Sequence, residues 1–297
     1  DRRRVGVLAM NFTEHALSFT CAGEKLLGIV AAPELPKSTG VLVLVGGPQY
    51  RVGSHRQFLL LARALAKAGY PVMRFDYRGM GDSIGDLRNF EAVNDDITAA
   101  IDVFRQQCPA VVKVVLWGLC DAASSSLLYW DATQDARIGG LVLLNPWVRS
   151  ETTLARAHIK HYYGQRLLEV DFWHKLITGN VGLGRAIGGF FRSVLATLQN
   201  QSSSVSTQAA LPFQKRMARG LGEFPRPVLL ILSGNDYTAK EFSECVASDP
   251  GWAGILESRA ISRIDLPEAD HTFSSEHWRS DVERHTTVWL NNLAGNS

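Results

Sequence analysis

The sequence predicts an α/β protein built on a mostly parallel eight-stranded sheet, with helices on both faces and a helical lid inserted after the sixth strand. Three observations predict this class. Apolar, β-branched runs alternate along the chain with helical segments, as in right-handed crossovers between parallel strands. A hairpin pattern occurs only at the first pair of runs. One long stretch after the sixth run contains no strand-like pattern.

The eight predicted strands are short apolar runs bounded by Gly, Pro or polar residues. The first two pair as a hairpin around Ala22-Gly23-Glu24. The third is apolar throughout, as expected of a strand that is buried on both faces. The predicted strands are 16–21, 25–31, 41–45, 72–76, 111–117, 138–144, 227–232 and 260–266.

The helices that cover the sheet are predicted from apolar residues spaced three and four apart. The first should bury a stripe that includes Leu59, Leu65 and Ala66, and it should stop at Gly69. The predicted core helices are 55–68, 90–107, 122–129, 238–246 and 277–293.

Composition and charge exclude several classes of protein. A hydrophobic content of 46% permits a full core in 297 residues and argues against disorder. The formal net charge of +2 gives no indication of a nucleic-acid partner. The four cysteines are far apart, so they suggest neither a metal site nor disulfides, and a reducing compartment is expected. Residues 1–9 are expected to be a cloning or upstream remnant, because Met10 resembles a natural start.

Residues 147–222 are the predicted lid, inserted between the core segments 10–146 and 223–297. An insertion of this length between strands is usually functional. It carries ten Lys and Arg residues against three Asp and Glu residues. This charge could attract an anionic substrate or a membrane surface, and a solvated helical face explains it equally well. The predicted lid helices are 154–163, 165–177 and about 183–198.

The stretch 114–124 carries the strongest chemical signal. An apolar run ends at Gly118, a short turn presents Cys120, and a helix of small residues begins. This is the G-x-S-x-G pattern with Cys120 in place of Ser and Ala122 in place of the second Gly. A nucleophile at such a strand-to-helix turn stands clear of the sheet and faces the N–H groups of the following helix. The alternative is a buried cysteine in an ordinary turn.

Three reactive side chains follow three predicted strands, in the order Cys120, Asp236 and His271. The carboxyl ends of parallel strands meet at one edge of a sheet, so we expect these residues to lie together. His271 could take the proton of Cys120 and return it to a leaving group, while Asp236 orients the imidazole. Asp270 competes with Asp236 for this role, although adjacent side chains in an extended loop point apart. Each residue alone also fits ordinary surface or turn chemistry.

A tetrahedral intermediate needs two backbone donors for its oxyanion. The N–H of Asp121, directly after the nucleophile, is predicted to be one, and its side chain is expected at the helix N-terminus. Gly47 is the preferred second donor and Gln49 the alternative, because Pro48 has no N–H. The residues expected to contact the substrate are Pro48, Arg78 and Trp147. A role in shaping the loop after the fourth strand also fits Arg78.

Three segments carry a resemblance to known proteins: GGPQYR at 46–51, FDYRGMGDS at 75–83 and LWGLCDA at 116–122. The chain as a whole resembles the α/β-hydrolase superfamily, in which nucleophile, acid and base follow this order. More narrowly, the segments are similar to the exosortase A system-associated hydrolase 1 family. That resemblance implies a cytoplasmic Gram-negative protein encoded beside exosortase and exopolysaccharide genes, and it implies no particular substrate. The cysteine nucleophile is also similar to that of dienelactone hydrolases, at the triad alone.

The resulting hypothesis is a Cys-His-Asp hydrolase that acts on an ester or thioester of a small-molecule or lipid substrate. Neither a metal nor an organic cofactor is implied. One alternative is an acyltransferase that uses the same triad with a sugar or amine acceptor, which a water-excluding lid would favour. Another is a binding module on a hydrolase fold without chemistry.

Overall fold

The structure is a computed structural model, and it describes residues 11–47, 49–149 and 211–295. The chain divides into a core unit, Asp1–Val148 with Pro212–Ser297, and a second unit, Arg149–Leu211. Several predictions lie outside the described residues and stay predictions. They concern the remnant at the start, the lid helices with their membrane or substrate contact, and the substrate contact of Pro48.

Eight strands form one sheet in the order β1-β2-β4-β3-β5-β6-β7-β8. The pairs β1/β2 and β2/β4 are antiparallel, and every pair from β4/β3 to β7/β8 is parallel. The predicted mostly parallel eight-stranded sheet is therefore confirmed. The strands are β1 Phe12–Cys21, β2 Glu24–Pro33, β3 Thr39–Leu44, β4 Val72–Phe75, β5 Lys113–Leu119, β6 Ile138–Leu144, β7 Val228–Ser233 and β8 Ile261–Leu266.

Helices cover both faces of the sheet. Apolar residues of α1 and α6 pack on one face, and those of α2 to α5 pack on the other. None of the helices in the described ranges has the length and hydrophobicity needed to cross a bilayer. The described helices are α1 Gln57–Lys67, α2 Asn94–Gln107, α3 Asp121–Thr133, α4 Phe213–Glu223, α5 Tyr237–Ser248 and α6 Glu276–Gly295.

The central strand β5 shows why its run is apolar without interruption. Val114 and Leu116 belong to the hydrophobic cluster on one face, whereas Val115 and Trp117 belong to the cluster on the other. Trp117 packs edge-on against Phe58 of α1, with ring centroids 5.7 Å apart. Burial on both faces leaves no position for a polar side chain, so the carboxyl end of β5 is held rigidly.

Two helices begin later than the sequence patterns predict. Before α1, residues Ser54–Arg56 form a 3₁₀ turn in which His55 and Arg56 both have positive φ. Before α2, Phe90 lies outside the helix, and its ring packs edge-on against Phe213 at 5.2 Å. The contact with Phe213 holds Phe90 out of the helical conformation that the apolar spacing favours, and the positive φ of His55 and Arg56 interrupts the first segment.

The last residues of the predicted lid segment form α4, which packs on α3 within the core unit. Gly220 lies so close to α3 that a Cβ on it would sit 2.7 Å from the main-chain oxygen of Leu127. Arg219 pairs with Asp131 of α3, with 2.6 Å between Nε and Oδ1. The chain from Phe213 onward therefore covers the sheet beside α3.

Candidate active site

Cys120 occupies the sharp turn between β5 and α3. Its backbone has φ 62° and ψ −125°, a conformation that is rare for a residue other than glycine. The turn is held from both sides. The Cys120 N–H donates to the Leu144 oxygen at 2.9 Å, and its own oxygen accepts the Ala123 N–H at 3.0 Å. Backbone strain that surrounding hydrogen bonds maintain is common at functional sites.

Gly118 allows the helix to return beside its strand. A Cβ on Gly118 would lie 2.5 Å from the main-chain carbon and oxygen of Ala122, which is closer than side chains tolerate. Ala122 itself is fully buried and is accommodated where the sequence pattern usually has a second glycine. The small residues around Cys120 are thus required by close packing of the strand against the helix.

Asp236 and His271 meet at the carboxyl ends of β7 and β8. The imidazole Nδ1 lies 2.9 Å from Asp236 Oδ2. The same carboxylate caps α5, where it accepts the N–H groups of Thr238 and Ala239, each at 3.1 Å. Burial raises the pKa of Asp236, but the hydrogen bond and charge of His271, together with the N–H groups of Thr238 and Ala239, outweigh this effect, so the pKa lies below its ordinary value. An ionised, fixed carboxylate is suited to orient an imidazole.

Asp270, the competing acid, has other partners. Its carboxylate accepts hydrogen bonds from the N–H of Ser274, at 2.9 Å, and from the Ser274 hydroxyl. These bonds close the turn that follows His271. The side chain of Asp270 therefore shapes the histidine loop, while Asp236 contacts the imidazole.

His271 connects the carboxylate to the thiol. Its side chain forms hydrogen bonds with Asp236 and with Cys120, and these raise its pKa to about 10. The imidazole therefore lies between the carboxylate and the sulfur, where it can pass a proton. The structure brings the three predicted residues together, although they come from three different strand ends.

The other three cysteines lie in different surroundings. Burial raises the pKa of the thiols of Cys21, Cys108 and Cys245, which disfavours their nucleophilic thiolate forms. Within the described ranges, Cys120 is the cysteine that hydrogen-bonds a histidine.

Asn145 was not assigned a role from sequence, yet it holds the histidine loop in place. It is fully buried at the end of β6 and has φ 44°. Its Nδ2 donates to Ser233 Oγ at 2.7 Å and to the main-chain oxygen of His271 at 3.2 Å. Its Oδ1 accepts the Ser233 N–H at 2.9 Å. The available signal was a polar Asn directly after a buried strand, in a chain where other strand ends carry the chemistry.

The predicted oxyanion donor Gly47 is engaged elsewhere in this structure. Its N–H donates to Oδ2 of Asp121 at 2.9 Å. Burial raises the pKa of the Asp121 carboxyl, and the N–H groups of Gly47, Ala122 and Asp121 partly offset this. The second predicted donor, the Asp121 N–H, is thus also directed at the Asp121 carboxylate. The carboxylate lies at the helix N-terminus, where it was expected, and the contact with Gly47 adds a partner that the sequence did not indicate.

A cleft of about 480 Å³ opens beside Gly47 and Asp121. Its walls are mostly apolar, with contributions from Tyr77, Met80 and Phe90. The Tyr77 hydroxyl is buried and has no hydrogen-bond partner among the residues the structure describes. The cleft can hold an apolar group next to the nucleophile turn, and it offers an unused donor.

Arg78 is paired within the protein, as the loop-shaping alternative predicts, and its contact with substrate stays a prediction. Its Nε and Nη2 form hydrogen bonds of 2.9 and 2.8 Å to the two carboxylate oxygens of Asp96, and both side chains are buried. This bidentate pair raises the pKa of Arg78 above its ordinary value. The physical reason is that the loop after β4 folds onto α2, where a buried carboxylate requires a cation.

The two remaining predicted residues lie near the site. Gln49, the alternative oxyanion donor, lines the cleft, and its side-chain oxygen accepts the Ser54 N–H at 3.1 Å. Trp147 follows β6, and its main-chain N–H donates to the Cys120 oxygen at 3.3 Å. Its predicted contact with substrate stays a prediction. The described residues contain no group of three His, Cys, Asp or Glu side chains suited to a metal ion.

Comparisons with known proteins agree with this architecture. A family model described as "Serine aminopeptidase, S33" matches residues 36–176, which include the nucleophile turn. No curated protein sequence matches the chain. That family is described as a serine enzyme, whereas the turn of this chain carries Cys120.

Solved structures of similar fold include an esterase. The Pyrococcus furiosus esterase Pf2001 has 16% identity and a TM-score of 0.61, over 96% of this chain and 92% of its own. Est1E from Butyrivibrio proteoclasticus, solved with ferulic acid bound, has 15% identity and a TM-score of 0.60, over 94% and 99%. A putative alpha/beta hydrolase from Agrobacterium tumefaciens, ATU1826, has 14% identity and a TM-score of 0.60, over 95% and 98%. Identities this low show the fold, which is that of the α/β-hydrolases.

Proposed function

We propose that this chain, an enzyme of the α/β-hydrolase superfamily, cleaves an ester or thioester through a Cys120–His271–Asp236 triad and an acyl-enzyme intermediate. One observation carries the proposal. His271 Nδ1 lies 2.9 Å from Asp236 Oδ2, and the interaction of the same imidazole with Asp236 and with Cys120, at the strained turn, raises its pKa. A nucleophile, a base and a residue that orients the base are the minimum set for this chemistry.

The reaction would proceed in two halves. His271 takes the proton of the Cys120 thiol, and the sulfur attacks the carbonyl carbon of the substrate. The tetrahedral intermediate collapses when the alcohol or thiol leaves with the proton from His271, and the acyl group stays on sulfur. A water molecule then gives its proton to His271 and attacks the acyl carbon. The free acid leaves, and Cys120 regains its proton.

The surroundings support an acyl substrate with an apolar part. The cleft beside Gly47 and Asp121 has mostly apolar walls and borders the turn that carries Cys120. One neighbour of similar fold is named as an esterase, and another, Est1E, was solved with ferulic acid bound. The family match names an aminopeptidase, so an aminoacyl amide belongs among the candidate substrates.

A link to bacterial exosortase and exopolysaccharide systems, in the cytoplasm, is a further part of the proposal. It rests on the resemblance of the segments at 46–51, 75–83 and 116–122. Co-purification or genetic linkage with such a system would test it separately from the chemistry.

The test compares hydrolysis by the wild type, Cys120→Ala and Cys120→Ser. The substrates are short p-nitrophenyl esters, short acyl thioesters and an aminoacyl p-nitroanilide. The matched control is Cys245→Ala, which removes a thiol that, like Cys120, is partly exposed but lies away from His271. Cys120→Ala should reduce turnover to the uncatalysed rate, Cys245→Ala should keep it, and intact mass should show the acyl group on wild-type Cys120. Equal turnover in the wild type and Cys120→Ala would overturn the mechanism.

Two alternatives give different results in the same assay. If acyl groups appear on an added sugar or amine while free acid does not, the chain is an acyltransferase. If Cys120 is never acylated at neutral pH, a binding role on this fold replaces the proposal.

A further inference from the structure

The carboxylate of Asp121 lies in the cradle that the proposed reaction needs for its oxyanion. Its Oδ2 accepts the Gly47 N–H at 2.9 Å, and the N–H groups of Asp121 and Ala122 also act on it. The cradle fits closely, since a Cβ on Gly46 would lie 2.2 Å from Asp121 Oδ1. The chain therefore places its own anion where a tetrahedral intermediate would place a charged oxygen.

One oxygen of this carboxylate is not satisfied in its present position. Asp121 Oδ1 is buried, and it accepts no hydrogen bond from any residue the structure describes. A buried acceptor without a partner costs free energy, and native structures usually provide one. The position in the cradle satisfies Oδ2 and leaves Oδ1 available for another donor.

Tyr77 offers the missing donor. Its hydroxyl is buried and likewise unpartnered among the described residues, and its side chain is only 3% exposed. Tyr77 and Asp121 line the same cleft. Burial raises the pKa of Tyr77, and the charge of Asp121 raises it further, so the two groups lie within electrostatic reach.

We propose that Asp121 is a movable positioning residue for acyl transfer and that Tyr77 holds it in its second position. In the free protein the Asp121 carboxylate fills the oxyanion cradle. When an acyl carbonyl binds, the side chain turns into the cleft and accepts a hydrogen bond from the Tyr77 hydroxyl. The N–H groups of Gly47 and Asp121 then donate to the oxyanion of the intermediate, and the negative charge of the Asp121 carboxylate moves away from it.

This inference rests on the proposed function, because an oxyanion forms only if Cys120 attacks a carbonyl. Two reactions of the same thiol separate the two ideas. Acylation by p-nitrophenyl acetate passes through an oxyanion, whereas alkylation by iodoacetamide does not. Dividing the acylation rate of Cys120 by its alkylation rate removes any change in the reactivity of the thiol. The ratio therefore reports on the cradle.

The experiment is a double-mutant cycle of Asp121→Ala and Tyr77→Phe, with peptide mass mapping locating both labels on Cys120. Asp121→Ala should raise the acylation-to-alkylation ratio by about tenfold, because a charge-assisted hydrogen bond no longer competes with the oxyanion. Tyr77→Phe should lower the ratio by about three- to tenfold in the wild-type background, where the displaced carboxylate loses its donor. In the Asp121→Ala background, Tyr77→Phe should change the ratio less than about twofold.

Two further variants separate this role from a structural one. Asp121→Asn keeps the size of the side chain and removes the charge, so its ratio should lie between those of the wild type and Asp121→Ala. Tyr70→Phe removes another buried hydroxyl, one that is bonded to Asn291 rather than facing this cleft, and should leave the ratio unchanged. Thermal unfolding of each variant checks that it is folded.

Three results bear against these ideas in distinguishable ways. An unchanged or lower ratio in Asp121→Ala overturns the inference, even if Tyr77→Phe fails to fold. Additive effects of the two substitutions overturn the part assigned to Tyr77. If Cys120 is alkylated in every variant but is never acylated by any ester or thioester, the proposed function itself fails.

Discussion

The side-chain amide of Asn145 donates a hydrogen bond to the main-chain oxygen of His271 across 3.2 Å. The same amide group bonds Ser233 through both its nitrogen and its oxygen. A single buried side chain therefore connects the ends of β6 and β7 to the loop that carries the imidazole. The position of His271 depends on this connection as well as on its contact with Asp236.

Replacing Asn145 should weaken both stability and catalysis. Asn145→Ala leaves the buried Ser233 N–H without its acceptor, so the free energy of unfolding should fall by about 1–3 kcal/mol. A displaced imidazole should lower kcat/KM by about ten- to a hundredfold. Urea denaturation and ester hydrolysis measure the two effects. Ser233→Ala, which keeps the bond to the His271 oxygen, should reduce kcat/KM less, and equal losses would contradict this assignment.

Asp236 has two roles that one pair of variants can separate. Asp236→Asn keeps an acceptor at the start of α5, so stability should change little. It removes the charge that orients the imidazole, so kcat should fall by up to about 10⁴-fold. Asp236→Ala should lose similar activity and also about 1 kcal/mol of stability, because the cap is lost. Wild-type activity in Asp236→Asn would show that the carboxylate does not orient His271.

His271 should make the stability of the protein depend on pH. Hydrogen bonds to Asp236 and Cys120 raise its pKa from the ordinary 6.5 to about 10. Its stabilising contribution is then fully present below about pH 6.5 and is lost as the pH rises toward 10. The difference in unfolding free energy between the wild type and His271→Gln should therefore shrink from pH 6 to pH 10. Urea unfolding at several pH values measures it, and a constant difference would contradict the raised pKa.

The buried pair of Arg78 and Asp96 should matter for stability and leave substrate affinity unaffected. Arg78→Met leaves the Asp96 carboxylate buried without its cation, so the unfolding free energy should fall by about 3–5 kcal/mol. The double variant with Asp96→Leu should recover part of that loss, because no isolated charge remains. KM should stay near the wild-type value in the folded fraction. A large rise in KM would return Arg78 to the substrate-contacting residues.

Local patterns in the sequence were enough to predict the sheet and the reactive residues. Apolar runs repeat the burial that each strand needs, so the eight strands and their mostly parallel arrangement were predictable. Gly118, Cys120 and Ala122 predict the tight turn, because few other residues permit that close return of the helix. The candidate acid and base followed from their places at strand ends. The start of α2 was not predictable, because Phe90 packs against the distant Phe213, and no local signal marked the positive φ of His55 and Arg56 before α1.

The amino-acid sequence alone determined which residues end the strands and which of them carry reactive groups. Only the tertiary structure decided the partner of each polar side chain. Asp121 meets Gly47 across 74 positions of the chain, Arg78 meets Asp96 across 18, and Asn145 meets His271 across 126. The physical reason is that periodic burial is a local property of a segment. A buried polar group, by contrast, must find its partner among whatever the packed elements bring near it.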